Sequence, residues 1–173
     1  ARARDKQYLL VKDAEGRMAL RRWWNGCSAV LDYTYPPALE WFKGRLDELV
    51  VRYGVDGFKF DAGDPCEGDL SSWATGYRWR GSSIPNEDCA AYSRIGLHYP
   101  LSEYRASWKA GGAPLLQRLR DKPHSWGDDG LKALIPNAIA QGLMGFPFNC
   151  PDMIGGGWDG DLSTTPFDAE LFV

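Results

Sequence analysis

The sequence predicts an α/β fold, present as part of a (β/α)8 TIM barrel that covers about strands 3 to 7. Short apolar strands alternate with helical segments along the chain. A charged residue stands at or just beyond the carboxyl end of each predicted strand, and in a barrel those ends form the active-site face. A complete barrel typically needs ~250 residues. The chain has 173 residues, so it fits a partial barrel or a small open α/β domain, and the charged strand ends favour the barrel.

The first part of the chain is predicted to be a β-hairpin over residues 1–22, with barrel elements over 23–173. The apolar run 28–32 ends in a carboxylate and is typical of a buried parallel strand. Apolar residues at helical spacing predict a helix over 38–50. Residues 55–61 then form a second apolar strand, again with a carboxylate at its end.

The segment 62–92 is polar, contains Gly and Trp residues, and is too long for an ordinary connection between a strand and a helix. We therefore predict a lid or an insertion loop there. The remaining patterns predict strands at 99–105, 114–121 and 145–150, and helices at 88–97 and 130–142. About five parallel strands joined by crossovers are thus expected.

Charged side chains at the carboxyl ends of the strands form the candidate site. They are Asp32, Asp61, Arg105, Asp121 and Asp152. Cleavage of a glycosidic bond by the usual route needs two carboxylates, one as nucleophile or base and one as proton donor. Asp61 and Asp121 are the best pair, and Lys59, on the same strand face as Asp61, could hold it ionised and bind a sugar hydroxyl. A helix cap or a salt bridge is the alternative role for any single Asp.

The composition argues against several classes of protein. Net charge is −3 without any basic run, which disfavours binding to nucleic acid or to an anionic membrane surface. Hydrophobic residues make up 44% and charged residues 25%, so neither disorder nor a membrane segment is expected. The eight Trp and 20 Gly residues are a common feature of sugar-binding chains, because flat rings stack on sugars. Trp126 is our candidate for such a contact, with core packing as the alternative.

The cysteine pattern indicates neither a metal site nor another cofactor. The four cysteines are Cys27, Cys66, Cys89 and Cys150, and they have no CxxC pair and no zinc-like spacing to the two histidines. Cys66 and Cys89 flank one polar segment, and they either close it as a disulfide or remain free thiols. The chain begins with a charged stretch, not an apolar leader, and both ends look cut. The compartment stays open, with a secreted or lumenal location favoured.

Four motifs in order along the chain resemble those of glycoside hydrolase family 31. They are Trp24-Asn-Gly26 with Asp32-Tyr-Thr34 and Pro37-Ala38, then Asp56-Gly-Phe-Lys-Phe-Asp61, Asp121-Lys-Pro-His-Ser-Trp126, and Gly145-Phe-Pro147 with Asp152-Met-Ile-Gly155. Each motif is weak alone. Together they follow the family's order and cover most of residues 23–157, which makes the resemblance specific.

The resemblance implies a retaining α-glycoside hydrolase that acts on a carbohydrate substrate. Asp61 would be the nucleophile and Asp121 the general acid/base. Asp32, Arg105 and Asp152 would contact the sugar. Residues 23–173 would then belong to the catalytic barrel, and further parts of the barrel and an accessory β-sandwich would lie outside this sequence.

Within the family, three features look closest to the branch of the myogenesis-regulating glycosidases, whose relatives act on α-galactosides. They are Lys59, the run Arg118-Leu-Arg-Asp-Lys122, and Pro151-Asp-Met-Ile-Gly-Gly156. An α-galactoside is therefore the favoured substrate. The α-glucosidase members carry Trp-x-Gly-Asp before the acid/base and Asp-x-Asn-Glu at the nucleophile, where this chain has Arg118-Leu-Arg-Asp121 and Asp61-Ala-Gly-Asp64. An α-glucosidase, an α-xylosidase or a non-catalytic carbohydrate-binding relative remain the alternatives.

Overall fold

The computed structural model describes residues 4–23, 26–64, 80–81, 85–152 and 166–173. Within these ranges the strands are β1 (Leu20–Trp23), β2 (Gly26–Ala29), β3 (Gly57–Phe60), β4 (Leu101–Tyr104), β5 (Leu116–Arg118) and β6 (Phe148–Cys150). The helices are α1 (Pro36–Tyr53), α2 (Pro85–Arg94), α3 (Leu134–Leu143) and α4 (Ala169–Phe172). Short 3-10 segments cover Arg4–Leu9, Ile95–His98 and Leu131–Ala133.

A parallel sheet in the order β3-β4-β5-β6 is the centre of the fold. Each of its strands pairs in parallel with the next, so the chain crosses over between successive strands. This arrangement confirms the predicted α/β class. Helix α1 precedes β3 and is capped at its carboxyl end by Gly54, whose positive φ of 65° is favourable for glycine.

The predicted parallel strand at 28–32 is wrong. Strand β2 pairs antiparallel with β1, and Leu31 makes only an isolated antiparallel bridge to Leu10. The amide of Asp32 donates to the carbonyl of Leu9 at 3.0 Å, so the backbone of this segment is bonded to the amino-terminal residues. Those residues thereby occupy the hydrogen-bonding groups that a parallel neighbour would need.

Part of the predicted lid and disulfide lies outside the described residues. The segment 65–79 belongs to that part, and so does Cys66. Cys89 is buried, but the choice between a disulfide and two thiols stays a prediction. Helix α2 begins at Pro85, within the range predicted as a lid.

The two faces of the parallel sheet differ in character because side chains alternate along a strand. One face is apolar: Phe60 stacks on Tyr104 with ring centroids 4.7 Å apart, and both are buried. The core on this side consists of Leu46, Phe60, Tyr92, Ile95, Tyr99, Tyr104 and Leu115. The opposite face therefore carries the charged side chains of Lys59, Glu103 and Arg118.

Candidate active site

The charged residues come together where the parallel strands end. Asp61 and Arg105 directly follow β3 and β4, and Arg118 is the last residue of β5. Asp121 and Asp152 lie two to three residues beyond the ends of β5 and β6. Because neighbouring parallel strands end at the same edge of a sheet, these side chains share one rim.

Arg118 is the centre of this rim, with a side chain that is only 3% exposed. Its Nη2 donates to Oδ1 of Asp61 at 3.0 Å. Its Nη1 contacts Oδ1 of Asp121 and lies 2.7 Å from Oδ2 of Asp152. Its Nε faces Oε1 of Glu103 at 3.5 Å without the geometry of a hydrogen bond. A buried guanidinium is stable only with such anionic partners, and the described residues supply four to this one.

A second cation beside Asp61 is Arg105, which follows the neighbouring strand β4. Nη1 of Arg105 lies 3.4 Å from the same Oδ1 atom, and Nη2 of Arg105 donates to Asp64. The hydroxyl of Tyr92 donates to the backbone carbonyl of Asp61 at 2.8 Å and so positions the strand end. The ion pairs that described residues make with Asp61 all end on Oδ1. Its Oδ2 is therefore left without a cationic partner among them.

Lys59 pairs with carboxylates other than the one predicted. Its Nζ donates to Oδ1 of Asp152 at 3.1 Å and lies 3.6 Å from Oε1 of Glu103. Glu103 is the register partner of Lys59 on β4, which brings the two side chains together. Desolvation lowers the pKa of Lys59, but the bond to Asp152 and the charge of Glu103 outweigh it and raise the pKa. The cations beside Asp61 are instead Arg118 and Arg105.

Asp121 is held in its ionised form. Desolvation raises its pKa, but the bond from Arg118 and the positive charges of Arg118 and Arg105 outweigh this effect, so its pKa lies below the usual value. A general acid needs a proton to donate, which a lowered pKa disfavours. The contact with Arg118 therefore disfavours proton donation by Asp121 in this arrangement.

Asp32 and Trp126 make other contacts. Oδ1 of Asp32 accepts from the backbone and hydroxyl of Thr34 at 3.1 and 2.6 Å, and Oδ2 accepts from the Arg80 amide at 2.8 Å. Nε1 of Trp126 donates to Asp168 at 3.3 Å. Among the contacts of the described residues, none joins Asp32 or Trp126 to Arg118. Their substrate contacts stay predictions.

Arg118 and Glu103 were not predicted as site residues. The available signal was the pair Gln117-Arg118, which interrupts an otherwise apolar strand. A charged residue inside a buried strand is costly unless it is paired, so it indicates a nearby carboxylate. Glu103 had no comparable signal, because alternating polar residues are ordinary in a strand.

A cavity of about 150 Å³ is lined by Asp61 together with Tyr33, Asp88 and Tyr92. Asp88 is buried, and its Oδ1 has no hydrogen-bond partner. Desolvation and the negative charge of Asp32, opposed by Arg21, raise the pKa of Asp88 to about 8. Asp88 is therefore a second carboxyl group with an unusual protonation state near the site.

Two further observations concern only the part of the chain that the structure describes. No helix there has the length and apolar character needed to cross a membrane. In the same residues, no three His, Cys, Asp or Glu side chains are grouped so that they could hold a metal ion. The counter-ions of the clustered carboxylates are the side chains of Arg118, Arg105 and Lys59.

A parallel α/β sheet with charged residues along its carboxyl rim is the arrangement found at the active-site face of a TIM barrel. The sequence profile of the "Glycosyl hydrolases family 31 TIM-barrel domain" matches residues 1–112. The chain belongs to glycosyl hydrolase family 31, and the predicted partial TIM barrel is confirmed.

The chain is also similar to two curated relatives and to a solved structure. Myogenesis-regulating glycosidase of Mus musculus is 40% identical over 153 residues, which are 86% of this chain and 20% of that protein. SITS-binding protein of Tetronarce californica is 30% identical over 154 residues, which are 87% of this chain and 21% of that protein. The structure of a family 31 sulfoquinovosidase from E. rectale, in complex with an aza-sugar inhibitor, has a TM-score of 0.76 at 23% identity, covering 98% of this chain and 26% of that one. The chain thus spans about a fifth of the length of the curated relatives.

Proposed function

We propose that the protein containing this chain hydrolyses a terminal α-linked sugar by a retaining double displacement, with Asp61 as nucleophile and Asp121 as general acid/base. One observation supports this most directly: both carboxylates contact the same guanidinium, that of Arg118. Asp61 lies at its Nη2 and Asp121 at its Nη1. Retaining enzymes need their two carboxyl groups about 5 Å apart, whereas inverting enzymes leave room for a water between them. Sharing one guanidinium keeps Asp61 and Asp121 close.

The chemistry follows from the orientation of Asp61. Its Oδ1 is occupied by Arg118 and Arg105, so Oδ2 is the atom that attacks the anomeric carbon. As that bond forms, the glycosidic bond breaks and Asp121 gives its proton to the leaving oxygen. Asp121, now ionised, then takes a proton from water while the water oxygen displaces Asp61 from the sugar. Two inversions at the anomeric carbon give net retention.

The remaining charged rim would bind the hydroxyl groups of the sugar. Lys59 contacts Asp152, Arg105 contacts Asp61, and Arg118 links these two carboxylates, so the three residues would offer donors and an acceptor to a substrate. Asp32 and Trp126 would join the substrate site in the bound enzyme. An α-galactoside is favoured over an α-glucoside or α-xyloside, because the chain resembles the myogenesis-regulating branch and lacks the α-glucosidase motifs.

The rest of the barrel and a β-sandwich domain would complete the enzyme. The apolar side chains Ile135, Ile139 and Leu143 are exposed on α3, and Phe148 is exposed on β6, the last strand of the sheet. Exposed apolar side chains beside a strand at the sheet edge are surfaces that further barrel elements would cover. The short span of the chain relative to its relatives supports the same conclusion.

The test uses the full-length protein and the nitrophenyl α-galactoside, α-glucoside and α-xyloside, with the anomer of the first product followed by NMR. We expect hydrolysis of the α-galactoside with retention. Asp61→Asn should reduce kcat by more than about a thousandfold, while Asp56→Asn, an exposed carboxylate just before the same strand, should leave it unchanged. An inverted product, or full activity of Asp61→Asn, would contradict the proposal.

A non-catalytic carbohydrate-binding protein is the second candidate, and the contact of Asp121 with Arg118 favours it, because a carboxylate paired with a guanidinium is a poor proton donor. Hydrolysis and sugar binding, measured side by side, distinguish the two candidates. A non-catalytic protein would bind galactose in calorimetry but would cleave none of the three nitrophenyl glycosides.

A further inference from the structure

We propose that Arg118 is a positioning residue that holds Asp121 ionised in the free enzyme, and that bound substrate separates this pair before Asp121 donates a proton. This inference rests on the proposed function, since it takes Asp121 to be the general acid. Arg118, which contacts both proposed catalytic carboxylates, would thereby control the protonation of Asp121.

The geometry of Arg118 allows one partner to leave while the others stay. Nη1 is shared by Asp121 and Asp152, whereas Nη2 is bonded to Asp61. The side chain of Asp152 is 4% exposed and that of Asp121 is 35% exposed. Asp152 also keeps a bond to Lys59. Asp121 is therefore the partner that can rotate away, and Arg118 would remain paired with Asp61 and Asp152.

The charges around Asp121 explain why separation from Arg118 changes its protonation. The charged groups that face it are Arg118 on β5, Asp152 after β6, Arg105 after β4 and Lys122 in its own loop. A carboxylate loses its main stabilising contact when it leaves a guanidinium, and a sugar that covers it removes water as well. Both changes favour the neutral acid, which takes its proton from solvent.

Arg118 is also the residue at which this chain departs from the α-glucosidase motif, where Trp occupies the same place. An uncharged ring would not hold the acid/base ionised. We therefore connect the arginine with control of the protonation of Asp121. Arg120 lies closer to Asp121 in sequence, but the hydrogen bond recorded to the Asp121 carboxylate among the described residues comes from Arg118.

The experiment measures the pH dependence of kcat/KM for full-length wild type, Arg118→Gln and Arg118→Lys, using the best α-glycoside substrate. The alkaline limb of kcat/KM reports the acid in the free enzyme. Arg118→Gln should move this limb upward by about 1 to 3 pH units. Arg118→Lys keeps the charge and should leave the limb in place, but one ammonium lacks the planar fork that holds both carboxylates. It should lower kcat by about a hundredfold.

Arg45→Gln, at an exposed position on α1, is the matched control and should change neither quantity. An unchanged alkaline limb in an active Arg118→Gln variant would overturn the inference while leaving the proposed function intact. Wild-type protein without activity on any of the glycosides would overturn the proposed function itself.

If Arg118→Gln does not fold, infrared spectroscopy tests the inference without that variant. The infrared difference between wild type and Asp121→Asn isolates the carboxyl of Asp121 and can be recorded with and without saturating galactose. Appearance of the protonated carboxyl band at neutral pH on adding galactose supports the inference. A carboxylate band that persists with bound galactose contradicts it.

Discussion

Nζ of Lys59 donates to Oδ1 of Asp152 at 3.1 Å, although the two residues are 93 positions apart in the chain. Lys59 is in β3 and Asp152 follows β6, which are the two outermost strands of the parallel sheet. A flat sheet would separate such strands by about 14 Å. The contact therefore reflects the curvature of a barrel wall, which turns the ends of both strands toward one point.

Lys59→Met tests the importance of this contact for the site. Asp152 would lose one of the two cationic partners that it has among the described residues. Under the proposed function, it would then be less well placed to accept a hydrogen bond from a sugar hydroxyl. Hydrogen bonds to charged groups contribute about 1.5 to 3 kcal/mol, so kcat/KM of the full-length enzyme should fall by about 10- to 100-fold. Thermal stability should change little, because the Lys59 side chain is half-exposed. Lys132→Met, which removes an exposed surface pair with Asp128, is the control. Equal activity in both variants would rule out a role for Lys59.

Gly57→Ala should prevent correct pairing of β3 with β4. An added Cβ would lie 1.7 Å from the backbone oxygen of Leu101, and a backbone atom cannot move aside cheaply. We expect little soluble protein and no cooperative unfolding transition. Gly44→Ala is the matched control, since its Cβ would meet open space within α1. That substitution should stabilise the helix by about 0.5 to 1 kcal/mol. A folded Gly57→Ala protein with normal activity would show that the two strands are farther apart.

Tyr104 allows its ring and its hydroxyl to be tested separately. The ring is fully buried against Phe60, and the hydroxyl donates to the carbonyl of Tyr92 at 3.2 Å. Tyr104→Phe removes only the hydrogen bond and should cost about 1 kcal/mol in the free energy of unfolding. Tyr104→Ala leaves a cavity in the core and should cost about 3 to 5 kcal/mol. Denaturant unfolding of both variants gives the two values, and a similar cost for both would show that the ring packs loosely.

Asp88 should make the stability of the protein depend on pH. The pKa of Asp88 is about 8 in the folded protein, against an ordinary value of 3.8 for the unfolded chain. Between these two pH values the folded state binds a proton that the unfolded state does not. Stability contributed by the neutral carboxyl is full below pH 4 and falls as the pH rises toward about 8. Asp88→Asn should remove this part of the pH dependence, and its stability relative to wild type should be highest above pH 8. Thermal midpoints from pH 4 to 9 measure the effect, with the exposed Asp128→Asn as control. Parallel curves for wild type and Asp88→Asn would contradict the burial of a carboxyl whose Oδ1 has no hydrogen-bond partner.

The sequence alone was sufficient for the α/β class, for four of the expected parallel strands, and for the family. Those conclusions depend on local patterns: apolar runs of strand length, helical spacing in α1, and acidic residues such as Asp61 that follow a strand. Such patterns survive in the folded protein because each strand is buried on at least one face. The family motifs added the order in which these elements occur.

Tertiary structure alone decided which charged groups meet. The face that Arg118 presents depends on the register of β5 against β4 and β6, and the partner of Lys59 is set by its position opposite Glu103 on β4. The strand predicted at 28–32 pairs differently because residues before it bind its backbone. Register and pairing are long-range properties, since a shift by one residue reverses every side chain. The sequence by itself therefore determined the elements and the carboxylates at their ends, and only the packed sheet placed one buried guanidinium between Asp61 and Asp121.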